Sequence, residues 1–250
     1  MNRRGLIIFA TILLLFTDAS AGDLYWSLAA SMAKPGKEIV SHFNQKQAPA
    51  RVFLILGGSG QLLSKIELAR RGDIYTPASA GFLKKAREKK LVKSQRLLLY
   101  QKPVFGLSGS GRSKINTFSD LSRPGLKLAL GNPRTMALGA TYLQIEEKMG
   151  RALSGQIRAN SQLEAINISQ VVNYLRSDVV DAGIIFDTVA QANGLSYIEI
   201  PERFNILSKS FLIRLVCSTA EEADLERFET FILTQHQTFN KYGFQLVGSP

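Results

Sequence analysis

Short apolar runs of strand length alternate along this chain with stretches whose apolar residues recur at helical spacing, and this alternation limits the fold more than any other feature. Leu24 to Leu28, Arg51 to Leu56, Arg96 to Tyr100, Val104 to Leu107, Leu126 to Leu130 and Ala182 to Phe186 read as strands, and another starts at Asp73-Ile74-Tyr75. Among them Ile39, Val40 and Phe43, then Leu62, Leu63, Ile66 and Ala69, then Val171 to Leu175 form helical stripes, and a helix is expected over Gly139 to Lys148. Strands separated by helices pair in parallel under a helical cover, so the fold class is α/β. Gly72 is expected to end the helix after the second strand. Thr219-Ala220-Glu221-Glu222 reads as a capping box before a closing helix with Leu225, Phe228, Phe231 and Ile232 on its apolar face.

The N-terminus adds a separate signal. Arg3 and Arg4 precede an apolar run from Gly5 to Phe16, and Ala19-Ser20-Ala21 supplies a small-residue cleavage site. That order reads as an export leader cleaved after Ala21, and the run is too short to cross a bilayer comfortably. The expected compartment is the bacterial periplasm, which disfavours a nucleic-acid role. Losing Arg3, Arg4 and Asp18 with the leader would lower the formal charge from +11 to +10, so the mature chain favours anionic partners. A single cysteine, Cys217, leaves no internal disulfide, and two histidines, His42 and His236, are too few for a His/Cys metal cage.

Two strand-to-helix junctions carry small residues and a hydroxyl: Ala29-Ala30-Ser31 and Gly57-Gly58-Ser59-Gly60. A helix start presents backbone N–H groups without intrahelical acceptors and the positive end of the helix dipole. In a parallel sheet both junctions lie at the carboxyl ends of strands, where ligands bind. Ser31 and Ser59 could therefore hold a small anion without any lysine or arginine, or simply be ordinary N-caps. The glycines around Ser59 exceed what a cap requires and admit a close approach to the backbone.

Other motifs lead nowhere chemical. Gly106 to Ser113 approaches a phosphate-binding loop, but Arg112 replaces the lysine and no long helix follows, so a solvated basic turn is expected. Gln61 breaks a nucleophile elbow at Ser59. His42 and His236 are expected at the surface, and Lys84, Lys85, Arg87, Lys89 and Lys90 on a solvated helix face. Asp181 and Asp187, six apart, do not by themselves define a metal site or an acid/base pair. No nucleophile, base and orienting group assemble, so no enzymatic activity and no cofactor are expected.

The stretches Ala29-Ala30-Ser31-Met32, Gly57 to Leu62, Gly72 to Ser79, Lys127 to Pro133 and Asp181 to Ala190 together resemble the periplasmic molybdate/tungstate-binding proteins of ABC importers, in the right order and over nearly the whole mature chain. Gly194 to Phe204 resembles the archaeal-type branch. The resemblance implies a type II periplasmic-binding-protein fold of two lobes, each a mostly parallel sheet flanked by helices. Residues 22–102 and 189–250 would form the first lobe and 103–188 the second, with crossings near Lys102 to Val104 and Asp187 to Val189. It implies an oxyanion in the cleft, held by Ser31 and Ser59 from one lobe and by backbone around Leu138 and Ile168 from the other. It also implies a membrane permease as partner, a monomeric chain and a cleft that closes on its ligand. Phe186 stands where the family usually has a ligand-binding tyrosine, and Met136 and Ile185 stand at the apparent positions of two metal-binding carboxylates of the archaeal-type branch. Other anions, small organic acids, or a sensor role without transport remain alternatives.

Overall fold

A computed structural model describes residues 22–46 and 50–248; the leader and its expected cleavage site lie outside the described residues. The strands are β1 (Leu24–Ala29), β2 (Val52–Gly57), β3 (Ile74–Thr76), β4 (Val92–Gln101), β5 (Pro103–Leu107), β6 (Leu128–Gly131), β7 (Ser161–Ala165), β8 (Ala182–Phe186), β9 (Tyr197–Glu199) and β10 (Ser208–Leu215). The helices are α1 (Ala33–Lys46), α2 (Ser59–Ala69), α3 (Ala80–Glu88), α4 (Gly111–Lys114), α5 (Ala137–Met149), α6 (Arg151–Ala159), α7 (Ile168–Arg176), α8 (Asp187–Asn193), α9 (Glu222–Thr234) and α10 (His236–Lys241). A 3-10 turn, Ala30–Met32, leads straight into α1.

The strands form two five-stranded sheets, ordered β2-β1-β3-β10-β4 and β7-β6-β8-β5-β9. In the first, β1 pairs in parallel with β2 and β3, whereas β10 runs antiparallel to β3 and β4. The second repeats the scheme: β6 is parallel to β7 and β8, and β5 is antiparallel to β8 and β9. The α/β, two-lobed architecture is present. Its parallel part in each lobe is a block of three strands, and the strands that join the lobes supply the antiparallel remainder.

Chain crossings explain that pattern. Only Lys102 separates β4 in the first sheet from β5 in the second. The return lies later than the resemblance implied: β9 pairs with β5, with Tyr197 opposite Gly106, so residues through Glu199 stay on the second sheet. The chain comes back over residues 200–207 into β10, and residues 189–199 sit with the second lobe rather than the first. β9 is only three residues long, and its hydrogen bonds to a distant strand, not its own sequence, define it.

Aromatic contacts fasten helices to both sheets within one continuous cluster of buried residues. Trp26, Phe43 and Phe228 are buried under the first sheet, with Phe228 edge-on to both Trp26 (5.4 Å) and Phe43 (4.9 Å), which fastens α9 to α1. Phe105 and Tyr142 make the corresponding edge contact at 5.8 Å in the second. The expected boundaries shift at two helices. α2 ends at Arg70, itself left-handed (φ 49°), before Gly72 is reached. α9 starts at Glu222 with Glu221 as its cap residue, so the capping box at Thr219 does not form; Ser218 Oγ instead accepts from Ala220 N–H. Among the described residues no helix is long and apolar enough to cross a membrane.

Candidate functional site

The carboxyl ends of the parallel strands in both lobes face each other across a cleft. A small pocket lies there, lined by Ser31 after β1, Gly58 and Ser59 after β2, Ala78 after β3, Met136 and Leu138 after β6, Ile168 after β7 and Phe186 at the end of β8. The five residues singled out from sequence (Ser31, Ser59, Leu138, Ile168 and Phe186) thus meet in one pocket. Its lining includes no charged side chain. What it offers an anion is backbone N–H groups at the starts of α2, α5 and α7 and two serine hydroxyls.

The two serines differ. Ser59 is buried at the first position of α2, its Oγ accepts from Ala78 N–H at 3.1 Å, and its carbonyl accepts from the Tyr75 hydroxyl at 2.8 Å. With its oxygen so engaged, the Ser59 hydroxyl hydrogen is left to donate elsewhere. Burial pushes the Tyr75 phenol well above its ordinary value, so it stays protonated and serves as donor. Among the described residues the buried Ser31 Oγ has no hydrogen-bond partner. A buried hydroxyl without a partner costs about 1–3 kcal/mol, a penalty that a bound acceptor would remove.

Glutamines shape the helix mouths. Gln61 Oε1 accepts from Gly58 N–H at 3.0 Å, and Gln170 Oε1 accepts from Ile166 N–H at 2.9 Å while Asn167 caps α7 by accepting from Gln170 N–H. Gln61, which spoils the elbow pattern, therefore works as the third residue of a helix start. The spacing Asn167-x-x-Gln170 carries the capping signal that would have located α7. Ahead of α5, Asn132 shapes the preceding turn instead, accepting from Arg134 N–H at 2.9 Å, and α5 has no side-chain cap.

Gly58 and Gly60 do permit a close approach, but of the opposite lobe. A Cβ on Gly60 would stand 2.0 Å from the Arg134 carbonyl oxygen, and one on Gly58 would stand 2.5 Å from that of Thr135 and 2.6 Å from that of Ile166. Gly60 N–H donates to Thr135 O at 2.8 Å, and the Lys34 ammonium donates to the Ala192 carbonyl at the end of α8, also across the cleft.

The remaining candidates lie elsewhere. Asp187 half-buries beside the first crossing, where its Oδ1 accepts from Thr188 N–H (2.7 Å) and Lys102 N–H (3.3 Å); burial raises its pKa against those hydrogen bonds. Asp181 is held by Lys114 (2.6 Å) and by Lys127 N–H (2.8 Å), away from the pocket. Ile185 packs over Gly106, whereas Met136 does line the pocket. The Gly106 to Ser113 stretch turns at Ser108, whose Oγ accepts from Gly111 N–H, is tied through Ser110 to Asp178, and runs into the short helix α4. His42 and His236 are half-buried, not fully at the surface. Among the described residues no group of three or more His, Cys, Asp and Glu is placed to hold a metal.

Residues 24–245 match the family described as bacterial extracellular solute-binding protein. The chain belongs to that family. This solute-binding protein is 21% identical over 207 residues to the molybdate-binding protein ModA of Mycobacterium tuberculosis, covering 82% of this chain and 76% of the relative. Its fold matches the periplasmic molybdate-binding protein of Azotobacter vinelandii at TM-score 0.74, with 16% identity, over 88% of this chain and 98% of that one. The sulfate-binding protein SubI of Mycobacterium tuberculosis matches at TM-score 0.78, with 14% identity, over 91% and 88%.

Proposed function

We propose that this solute-binding protein is exported to the periplasm, its leader cleaved after Ala21, and captures a small oxyanion between its lobes. Molybdate or tungstate is the first candidate, for delivery to an ABC permease in the inner membrane. The observation that carries the reading is the Ser31 hydroxyl, buried without a partner on a pocket where three helix starts converge. An oxyanion there would accept from Ser31, Ser59 and the first-turn N–H groups around Leu138 and Ile168. Each such bond to a charged ligand contributes about 1.5–3 kcal/mol. Because the two lobes hold different halves of that donor set, the ligand favours the closed state by its differential contacts. The chain acts as a monomer and performs no chemistry on its ligand, which fits the binding role of its relatives.

A thermal-shift panel tests this: molybdate, tungstate, sulfate, phosphate and small carboxylates on the purified protein. A selective shift by one or more oxyanions is the expected result. No shift by any tetrahedral oxyanion would sink the reading.

A further inference from the structure

Beside the oxyanion pocket lies a second hollow of about 660 Å³, open to solvent, and Ala30, Ser31 and Ile168 belong to the walls of both. The two differ in chemistry. The first has no charged group in its lining, whereas the second is lined by Lys34 from α1 and by Ser169, Asn173 and Arg176 along one side of α7. Ser169, Asn173 and Arg176 stand at one-turn spacing from one another and so share one side of α7, which offers its first-turn N–H groups to the first hollow and these polar side chains to the second.

We propose that the site takes an organic oxyanion: a tetrahedral head in the first pocket and a short tail bearing a carboxylate in the second. This rests on the oxyanion reading above and extends it. Three features argue for the tail. Ser31, whose unpartnered hydroxyl is nine-tenths buried, stands on the shared wall and can serve a head group placed there. Phe186 and Met136 make the head pocket partly apolar, which suits the carbon carried by a phosphate ester or a sulfonate better than a further free, charged oxygen. The second hollow supplies the cationic groups, Lys34 and Arg176, that the first lacks, and both are exposed enough to reorient. Among the described residues Arg176 reaches only the Asn193 carbonyl, at 3.5 Å, so a carboxylate would gain a guanidinium held by little else.

The experiment compares probes that share a head and differ in the tail: methyl phosphate, 2-phosphoglycolate and 3-phosphoglycerate, with molybdate beside them, by calorimetry. At least one phosphocarboxylate should bind tenfold or more tightly than methyl phosphate. Arg176→Gln should erase that advantage while leaving methyl phosphate and molybdate affinities unchanged, and Asn173→Asp, which adds a repelling charge, should do the same. Lys34 is kept intact because it also bridges the lobes. Equal binding of methyl phosphate and the phosphocarboxylates, or molybdate binding with no organic phosphate bound, overturns the tail site and leaves the oxyanion reading in place. Loss of all probes equally in Arg176→Gln overturns it as well. Failure of every probe on the unaltered protein overturns the tail site, and the oxyanion reading falls with it only if the thermal-shift panel is also negative.

Discussion

The backbone N–H of Gly60, in the first turn of the first lobe's pocket helix, donates to the carbonyl of Thr135 in the second lobe at 2.8 Å. This bond crosses the cleft beside the pocket, and the glycine is what allows it. The two lobes are therefore docked backbone to backbone, with no side chain between Gly60 and the Arg134 to Thr135 turn.

Gly60→Ala should keep both lobes folded and prevent their docking. The added methyl would fall 2.0 Å from the Arg134 carbonyl oxygen and 2.8 Å from Thr135 Cα, and neither backbone atom can rotate away. Small-angle scattering should show no compaction on adding a ligand that compacts the unaltered protein, and affinity should drop at least tenfold. An unchanged affinity would remove docking from the binding mechanism.

Ser31→Ala and Ser59→Ala should part company in stability. Both delete a pocket hydroxyl and should weaken oxyanion binding by about tenfold or more, as expected for a hydrogen bond to a charged partner. Ser31 has no partner to lose, so its variant should melt at or slightly above the original temperature. Ser59→Ala leaves Ala78 N–H without its acceptor and should cost about 1–3 kcal/mol. Paired calorimetry and thermal melts check this, and equal melting shifts would count against the assigned partners.

Phe186→Tyr should tighten molybdate or tungstate binding several-fold. Phe186 is buried on the pocket wall at the start of α8, and a hydroxyl on that ring adds one donor to a cavity short of them. Weaker binding in the tyrosine variant would show that the wall is shaped for an apolar part of the ligand, as an organic oxyanion requires.

Asp187→Asn should change how stability depends on pH. Burial raises the Asp187 pKa in the folded chain, so the native state holds that proton more tightly than the unfolded one. Stability contributed by the protonated group is present below the ordinary aspartate range and is lost as pH rises through the raised value. Asparagine can still accept from Thr188 and Lys102 N–H without that loss. The variant should gain on the unaltered protein toward neutral pH and lose the gain in acid, measured by denaturant melts at several pH values. Glu199, whose charge also raises Asp187, stays paired to Lys102 at 2.8 Å in both.

Alternation of apolar runs with helical stripes was enough to give the α/β class, because each element must bury one face and its period declares which. The junction serines were legible too, since a strand end, small residues and a hydroxyl before a helix form a local pattern. Tertiary structure alone decided the rest. β9 and the late return to the first lobe follow from pairing with β5, a contact between residues about ninety apart that three residues of strand cannot announce. Ser31 and Ser59 look alike in sequence; only packing gives Ser59 the Ala78 N–H and leaves Ser31 with none. Gly58 and Gly60 were marked as points of close approach, but what approaches is the opposite lobe, because sequence specifies how much room a backbone has and the fold specifies who fills it.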